Sequence, residues 1–517
     1  MSESNEEPVK ESPSIDIVVE DNQNENKEKE QVVTPRTEEK LKRAEFLGNG
    51  PLIGTLWKMT YPDFIAKIIS ALYTLVDSMF VGQYSGSTVE ETKNNLAGLS
   101  FASPIEMCLM VGLSLIFAQG GGPLYGRYLG KHDEITSRRI IGNVFTMDIL
   151  LGITMAIVLP LCSEWLLTLM GASWEAGTMR PALDYIIPIM IADILYNICY
   201  ATNNLMRGEG AAMYTCALMT ISSLTNIVFD FIFLKVFGIG IEGAAYATII
   251  AYIFSSSFGL WYFLSKRSAV TPTFSDMKPD WKLVCEIMNV GLPGMVIGFA
   301  NGILTIVSNR LVIGYSPYDA IDPRTVAANA AAGSLAKMQH FLFIPINSIA
   351  HGVVAMLSYC RGAKLYDRFV KAMRCCFIGQ FVICIVLSIF CFVFAEKLAL
   401  MFNSDEEFIR LFSEGLRYMS LCLFLSPCSC ALYPGLQAIG RGALSAVVLM
   451  GRSCIFIVIA ELVMCGITKD YMGVFHAYPI AEIVSALFAG IVYIFVRKDL
   501  HGKKELPKNS FVCSNTL

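Results

Sequence analysis

Twelve windows of about 20 apolar residues run through this chain, and each is long enough to cross a hydrocarbon core of about 30 Å as a helix. Inside lipid every backbone polar group must be hydrogen bonded within the segment, so these windows predict helices. The windows lie at 54–83, 95–120, 137–163, 182–206, 212–236, 242–264, 283–312, 326–357, 369–395, 411–438, 444–467 and 473–496. We therefore predict an all-α integral membrane protein with twelve transmembrane helices.

The composition excludes a soluble protein, because 54% of the 517 residues are hydrophobic, 16% are charged and the mean hydropathy is +0.53. Of the 44 acidic and 40 basic residues, 13 and 7 lie in the first 46 positions, which leaves 31 acids and 33 bases for the rest. No feature favours nucleic acid as a partner. The 16 cysteines show no metal-ligand spacing. We predict no cofactor and expect the lipid bilayer and small organic solutes as partners.

Basic residues are concentrated in alternate loops between the predicted helices. They are Arg127, Lys131, Arg138, Arg139, Lys266, Arg267, Lys278, Lys282, Arg361, Lys364, Arg368, Lys371 and Arg374. Because loops rich in Lys and Arg stay in the cytosol, we predict a multi-pass protein with both termini cytosolic. The polar tail at 1–46 has too few apolar residues to offset the conformational entropy lost on folding, so we expect it to be disordered. A second cytosolic tail is predicted at 499–517.

The membrane part repeats itself. The segment 62–84 (PDFIAKIISALYTLVDSMFVGQY) aligns with 293–315 (PGMVIGFANGILTIVSNRLVIGY) at an offset of 231. This predicts two six-helix lobes at 47–265 and 282–498, joined by a cytosolic linker at 266–281. Six is an even number, so both halves enter the membrane in the same direction. They are then related by a pseudo-two-fold axis along the membrane normal, with a cleft between them. We expect a monomer.

A polar site lies inside the predicted fifth helix, where Asn226 and Asp230 are one turn apart and share a face. The next helix carries Thr248. A carboxylate at mid-membrane depth costs roughly 2.5–3.5 kcal/mol, and such residues usually face a bundle interior or a water-filled cavity. These residues are therefore candidates for function.

Asp77 in the first helix is a second acid of the same kind. If helices one and five pack together, Asp77 and Asp230 form a carboxylate pair that attracts a proton or a small cation. The carbonyl oxygen of Asn226, the hydroxyl of Thr248 and the backbone carbonyl of Ala244 would complete a set of hard ligands for Na⁺, whereas a proton needs only the carboxylates. The alternative is that the two acids hold helices together through hydrogen bonds.

The repeat shows that this cluster belongs to one lobe only. The positions that correspond to Asp77, Asn226, Asp230 and Thr248 in the second half are Ser308, Val458, Leu462 and Ile480. Helix packing alone does not require such asymmetry, so it indicates that the first lobe does something that the second does not. Glu461 lies one position from the counterpart of Asp230 and is a partial equivalent.

Other polar residues within the apolar windows are candidates for the substrate cleft. Glu106 aligns with Lys337 across the repeat, and the two either line the cleft or pair as structural ions. Tyr196, Tyr200 and Asn203 share a helical stripe, which fits a solute-binding wall and helix packing equally. Tyr73, one turn before Asp77, either braces that carboxylate or packs.

Several of these stretches resemble the multidrug and toxic compound extrusion (MATE) transporters. They are LYTLVDSMFVGQ at 72–83 with the following NLAGLSFASPIEM, NIVFDFIFLKVFGIGIEGAAYAT at 226–248, RGEGAA at 207–212 and GVFHAYPIAEIVS at 473–485. The resemblance covers residues 51–498, and the segment from 226 is most similar to the DinF branch. It implies export of organic cations and other amphipaths against an inward H⁺ or Na⁺ gradient. It also implies that Asp77, Asn226, Asp230 and Thr248 form the ion site, and that Pro62 is the kink position of helix one.

These observations together predict a secondary active antiporter. A lipid-linked oligosaccharide flippase of related architecture is the main alternative, and it would favour a cleft rich in Arg and Lys. A membrane-embedded enzyme is the third, although the sequence offers no nucleophile with its base and no cluster of metal ligands.

Overall fold

The computed structural model describes residues 46–86, 88–170, 172–175, 177–317, 322–402 and 405–502. The predictions for the tail at 1–46 and for the end of the chain therefore lie almost entirely outside the described residues. Within these ranges the chain is helical and contains no strand.

Six spans make up the first half of the membrane part. They are α1 (Leu52–Tyr84), α2 (Val89–Ile105, a π-helical turn Glu106–Val111, then Gly112–Gly130), α3 (Glu134–Met170), α4 (Met179–Ile191 and Asp193–Gly208), α5 (Ala212–Asp230 with a π-helical turn Phe231–Val236) and α6 (Ile241–Leu264).

Six more spans follow a short 3₁₀ turn at Phe274–Met277. They are α7 (Trp281–Tyr315), α8 (Pro323–Gly362), α9 (Tyr366–Leu400), α10 (Glu406–Leu421, Leu423–Leu425, Pro427–Cys430 and Leu432–Ala438), α11 (Gly442–Met450, a π-helical turn Gly451–Ile455, then Phe456–Thr468) and α12 (Met472–Leu500).

Ten of the described helices are long and apolar enough to cross a membrane, and α4 and α10 each do so as a bent pair. The two halves of α4 meet at 55° and those of α10 at 46°. Pro427 begins the segment after the second break and lacks the backbone N–H that would continue the helix, and Pro188 lies in the turn before the first break. The predicted twelve spans are thus confirmed.

The predicted end of the second helix was wrong. The window was placed at 95–120, before a Gly-Gly-Gly-Pro sequence, but α2 passes through this sequence and ends at Gly130. Its glycines allow close contact between helices: a Cβ at Gly121 would overlap the side chain of Val144 on α3, and one at Gly122 would overlap the backbone carbonyl of Asn204 on α4. The glycines therefore serve helix packing in the middle of a span.

The two six-helix lobes meet along α2, which packs against α7, and along α8, which packs against α1 and α2. We call the end of the bundle at which α1 begins the proximal end. Small residues form the seam near it, because a Cβ on Gly120 or Gly291 would overlap the opposing backbone of α7 or α2. A buried apolar cluster also joins Met59 of α1 to Met356 of α8. The lobe boundaries themselves stay predictions.

Candidate ion-coupling site

The polar residues of α5 lie near the end of its α-helical part, which closes at Asp230. Asn226 and Asp230 are one turn apart and buried, and Asp230 is fully inaccessible to solvent. The π-helical turn begins at the next residue, Phe231, so the carboxylate is placed where the regular helical hydrogen bonding changes. Such turns occur frequently at functional sites.

α6 supplies the partner of the Asn226 side chain. The Nδ2 of Asn226 donates to Oγ1 of Thr248 at 3.2 Å, and this hydroxyl donates in turn to the backbone carbonyl of Ala244 at 3.0 Å. The chain of two hydrogen bonds fixes the amide, so that its Oδ1 remains buried without a partner among the described residues. Asn226, Thr248 and Ala244 are therefore brought together as predicted.

α1 brings Asp77 to the same place. The carboxyl groups of Asp77 and Asp230 approach within hydrogen-bonding distance of each other. Among the described residues no donor reaches Oδ1 of Asp77 or either carboxylate oxygen of Asp230. Two carboxylates can hydrogen bond to each other only if one carries a proton, and two negative charges in this place repel strongly. The geometry thus favours a proton or cation between them.

Glu106 extends the acidic region towards α4. It is the first residue of the π-helical turn of α2 and lies close enough to Asp77 and Asp193 to interact with them electrostatically. The carboxylate of Asp193 accepts from Nδ2 of Asn197 at 3.0 Å, whereas Asp148 on α3 is fully buried and has no partner among the described residues. Glu106 therefore adjoins Asp77, one of the candidate ion-coupling residues. No ion pair with Lys337 is found among the described side chains, and Lys337 is exposed on α8.

The tyrosines predicted for the cleft form an aromatic group beside the acids. The rings of Tyr196 and Tyr200 are 4.4 Å apart, and Tyr196 also meets Tyr252 of α6 edge-on at 5.4 Å. Tyr73 is half-buried and lies close enough to Glu106 and Asp77 to interact with them electrostatically. The hydroxyl of Tyr196 is buried and has no partner among the described residues. This arrangement fits both earlier interpretations, packing and a wall for a solute.

Asn203 does not join those tyrosines but points to a different group. Its Oδ1 accepts from Nη2 of Arg207 at 3.1 Å, and its Nδ2 donates to the carbonyl of Thr215 at 3.4 Å. Arg207 in turn pairs with Asp63 of α1 at 2.8 Å. The predicted stripe of α4 is therefore divided between two environments.

Asp63 lies next to Pro62, inside α1, and it is the centre of a cluster that the sequence interpretation missed. Lys67, one turn later, lies 2.7 Å from its carboxylate. The Nδ1 of His351, on α8 in the other lobe, is 2.8 Å from Nη1 of Arg207 and 3.2 Å from Nζ of Lys67. The spacing of Asp63 and Lys67 is the same i, i+4 signal that revealed Asn226 and Asp230. It was available in the sequence.

Pro62 itself lies within an unbroken helix, since α1 runs from Leu52 to Tyr84. Proline has no backbone N–H, so the hydrogen bond to the carbonyl of Lys58 is missing and bending there costs less. Pro62 as the kink position of helix one stays a prediction. Among the described residues no group of three or more His, Cys, Asp or Glu side chains could hold a metal ion.

Comparison with solved structures finds the same fold. A crystal structure of a MATE transporter in complex with a molecule named MaL6 has a TM-score of 0.79 at 23% identity, over 89% of this chain and 99% of that one. An outward-facing multidrug resistance MATE transporter of the MOP superfamily has a TM-score of 0.79 at 24% identity, over 90% and 99%. These identities show the fold alone.

Curated relatives are similar over most of the chain. The multidrug export protein MepA of Staphylococcus saprophyticus is 24% identical over 443 residues, 85% of this chain and 93% of that protein. MepA of Staphylococcus aureus is 22% identical over 457 residues, 88% and 96%. The DinF branch stays a prediction. The MatE family model matches residues 62–232 and 321–462, more than half of the sequence. The chain therefore belongs to the MatE family of membrane transporters.

Proposed function

We propose that this chain is a secondary active antiporter that exports cationic or amphipathic organic solutes in exchange for H⁺ or Na⁺. The observation that carries the proposal is the approach of Asp77 and Asp230, whose buried carboxyl oxygens lack donors among the described residues. The names of the MepA relatives as multidrug export proteins support the choice of solute.

The coupling mechanism follows from where the ion would bind. Asp77 lies on α1, which also packs against α8 of the other lobe, whereas Asp230 lies on α5. A cation between the two carboxylates removes their repulsion and holds α1 against α5, and its release pushes them apart. The movement of α1 would then be transmitted to the seam between the lobes. A gradient of one pH unit contributes about 1.4 kcal/mol per proton.

Both H⁺ and Na⁺ are compatible with these ligands. A shared proton would satisfy the carboxyl pair, and Na⁺ would add Oδ1 of Asn226 and the carbonyl of Ala244. We further propose that the proximal end faces the cytosol, because the connections at this end carry the basic residues and the positive-inside rule applies.

Dye transport in liposomes tests the proposal. The full chain is reconstituted, a pH gradient or a Na⁺ gradient is imposed separately, and counter-transport of a cationic dye is followed by fluorescence. Asp77→Asn and Asp230→Asn should each abolish gradient-driven transport while the proteins elute and melt like the wild type. Asp184→Asn is the matched control, since Asp184 lies on α4 and its one ion pair among the described residues is with the exposed Arg180, at 3.7 Å. Full transport in either of the first two variants would defeat the proposal.

The same experiment separates the alternatives. The membrane-embedded enzyme is excluded, because the family consists of transporters. A flippase for lipid-linked sugars would not move a small dye under either gradient, so transport of the dye argues against it.

A further inference from the structure

The cluster of Asp63, Lys67, Arg207 and His351 lies at the seam between the lobes. Three of its members belong to the first lobe, on α1 and α4, and His351 belongs to α8 of the second. All four are mostly shielded from solvent, with between 6% and 27% of each side chain exposed. The cluster has no part in the ion site described above.

The hydrogen bonds define the protonation of the histidine. Nδ1 of His351 faces two cationic donors, Nη1 of Arg207 and Nζ of Lys67, so this nitrogen accepts. The ring proton is then on Nε2 and the ring is neutral. A protonated ring would place a third positive charge against two others.

The cluster therefore carries an excess positive charge. Lys67 and Arg207 contribute two, and Asp63 is the one acid that pairs with either of them among the described residues. The Nε of Arg207 is buried and has no acceptor within the same ranges. An uncompensated charge in a poorly hydrated place is costly, and it favours an incoming group of opposite sign.

The cluster lies beside a small cavity between the lobes, where an anionic group could enter if the lobes separate. Arg207 and His351 line a cavity of about 10 Å³ between the lobes, together with Gln119, Asn204, Tyr433 and Gln437. This volume holds about one water molecule, so the cavity is too small for a solute in the conformation described. If the lobes separate at the proximal end, His351 leaves with α8. Arg207 and Lys67 then lose an acceptor while Asp63 stays with them.

We propose that Lys67 and Arg207 bind an anionic group of the transported solute, a carboxylate, sulfonate or phosphate, and that His351 occupies its place when the lobes are closed. Arg207 offers its Nε and Nη1 atoms to such a group and Lys67 adds a point charge, a combination suited to carboxylate and phosphate. The acids around Asp77 and Glu106 would receive the cationic part of the same molecule. This inference rests on the proposed transport function.

Two dyes that differ at one group provide the test. Rhodamine 110 has a free carboxylate, and rhodamine 123 is its methyl ester. Binding of each to the purified full chain in lipid nanodiscs is measured by fluorescence anisotropy, without any gradient. Arg207→Gln and Lys67→Gln should each weaken binding of rhodamine 110 by about tenfold, the effect of losing one charged hydrogen bond, and change that of rhodamine 123 by less than about twofold.

Controls distinguish recognition from folding. Arg180→Gln removes a guanidinium whose side chain is 82% exposed, and it should leave both affinities unchanged. Arg207→Lys keeps the charge and should recover part of the rhodamine 110 affinity. This variant also replaces Arg207→Gln in the test if Arg207→Gln does not fold. His351→Ala empties the site and should strengthen binding of rhodamine 110.

Equal losses for both dyes in the Gln variants, weaker rhodamine 110 binding in His351→Ala, or no carboxylate-dependent binding by the wild type would each overturn the inference. Replacing phosphatidylcholine with phosphatidylglycerol in the nanodiscs identifies the source of the anion, because a site that accepts lipid headgroups loses rhodamine 110 affinity and a site for free solutes keeps it. Gradient-driven transport of rhodamine 123 is measured separately. Its failure would remove the antiport proposal, while the binding contrast still decides on the anion site.

Discussion

The Nδ2 of Asn226 donates to Oγ1 of Thr248 across the α5–α6 interface, at 3.2 Å. Thr248 passes the hydrogen bond on to the carbonyl of Ala244 at 3.0 Å. The Thr248 hydroxyl therefore determines the orientation of the Asn226 amide, which lies beside two carboxyl groups. The hydroxyl itself need not contact an ion to have this effect.

Thr248→Val removes this hydroxyl and keeps the shape of the side chain. Nδ2 of Asn226 then loses a buried acceptor, a loss worth about 1–3 kcal/mol, and the amide is free to turn. We expect the concentration of coupling ion needed for half-maximal dye transport to rise by about tenfold, and Thr248→Ser to restore it. Thr154→Val is the control, because the Thr154 hydroxyl only bonds to its own helix on the outside of α3. A normal ion dependence in Thr248→Val would contradict the positioning role of Thr248.

Pro62→Ala should slow transport without changing the affinity for the ion. Alanine supplies the backbone N–H that can donate to the carbonyl of Lys58, so α1 becomes harder to bend at this point. The maximal rate and the half-saturating ion concentration are measured in the same liposomes. Pro160→Ala, within α3, is a matched change in another span. An unchanged maximal rate would show that bending at Pro62 is not needed.

Gly291→Ala should drive the two lobes apart along α2 and α7. A Cβ at this position would overlap the backbone carbonyl of Ile116. Because both helices are regular at this point, the overlap is relieved only if α2 and α7 move apart. We expect a lower thermal midpoint, and greater labelling by a small thiol reagent of Cys285, a half-buried cysteine on α7 less than two turns before Gly291. Gly314→Ala on the same helix is the control, since nothing lies within 4 Å of the added atom. A wild-type midpoint and labelling rate in Gly291→Ala would mean that the contact is easily relieved.

Glu209→Gln should destabilise the fold without a direct effect on the ion site. The Glu209 carboxylate is 2% exposed and accepts from the Ser268 hydroxyl and the Ala269 amide, each at 2.8 Å, and from the Tyr125 hydroxyl at 2.9 Å. Tyr262 donates to its other oxygen. An amide cannot accept at both positions, so we expect a loss of about 1–3 kcal/mol, measured as a lower thermal midpoint in detergent.

Glu134→Gln is the comparison for that change, because the Glu134 side chain is 72% exposed. Equal midpoints for Glu209→Gln and Glu134→Gln would show that the buried hydrogen bonds are replaced without cost.

The spacing of polar residues in apolar windows was enough to predict which side chains come together at the candidate ion-coupling site. Asn226 and Asp230 share a face by helix geometry alone. An acid within the membrane usually faces the bundle interior or a cavity, so the interior was the expected place for the side chain of Asp77. The twelve spans followed from length and hydropathy, since a bilayer allows few other structures.

Contacts between lobes were not predictable in the same way. Asp63 and Lys67 gave a local signal, but their meeting with His351 depends on how α8 lies against α1, which no periodicity encodes. The end of α2 was misplaced for a related reason: glycines that look like a helix end are, at Gly121 and Gly122, contact points with neighbouring helices.

The segment between the lobes is fastened to the first lobe at several points. Ser268 and Ala269 are held by Glu209, the carbonyl of Met277 accepts from Thr146 at 2.8 Å, and the Asp280 amide donates to Asn143 at 2.8 Å. Since α7 begins at the very next residue, Trp281, almost no slack chain separates the halves. The second half can therefore rotate relative to the first about the start of α7, but it cannot move away from it. Every opening of the two halves then uses this same pivot.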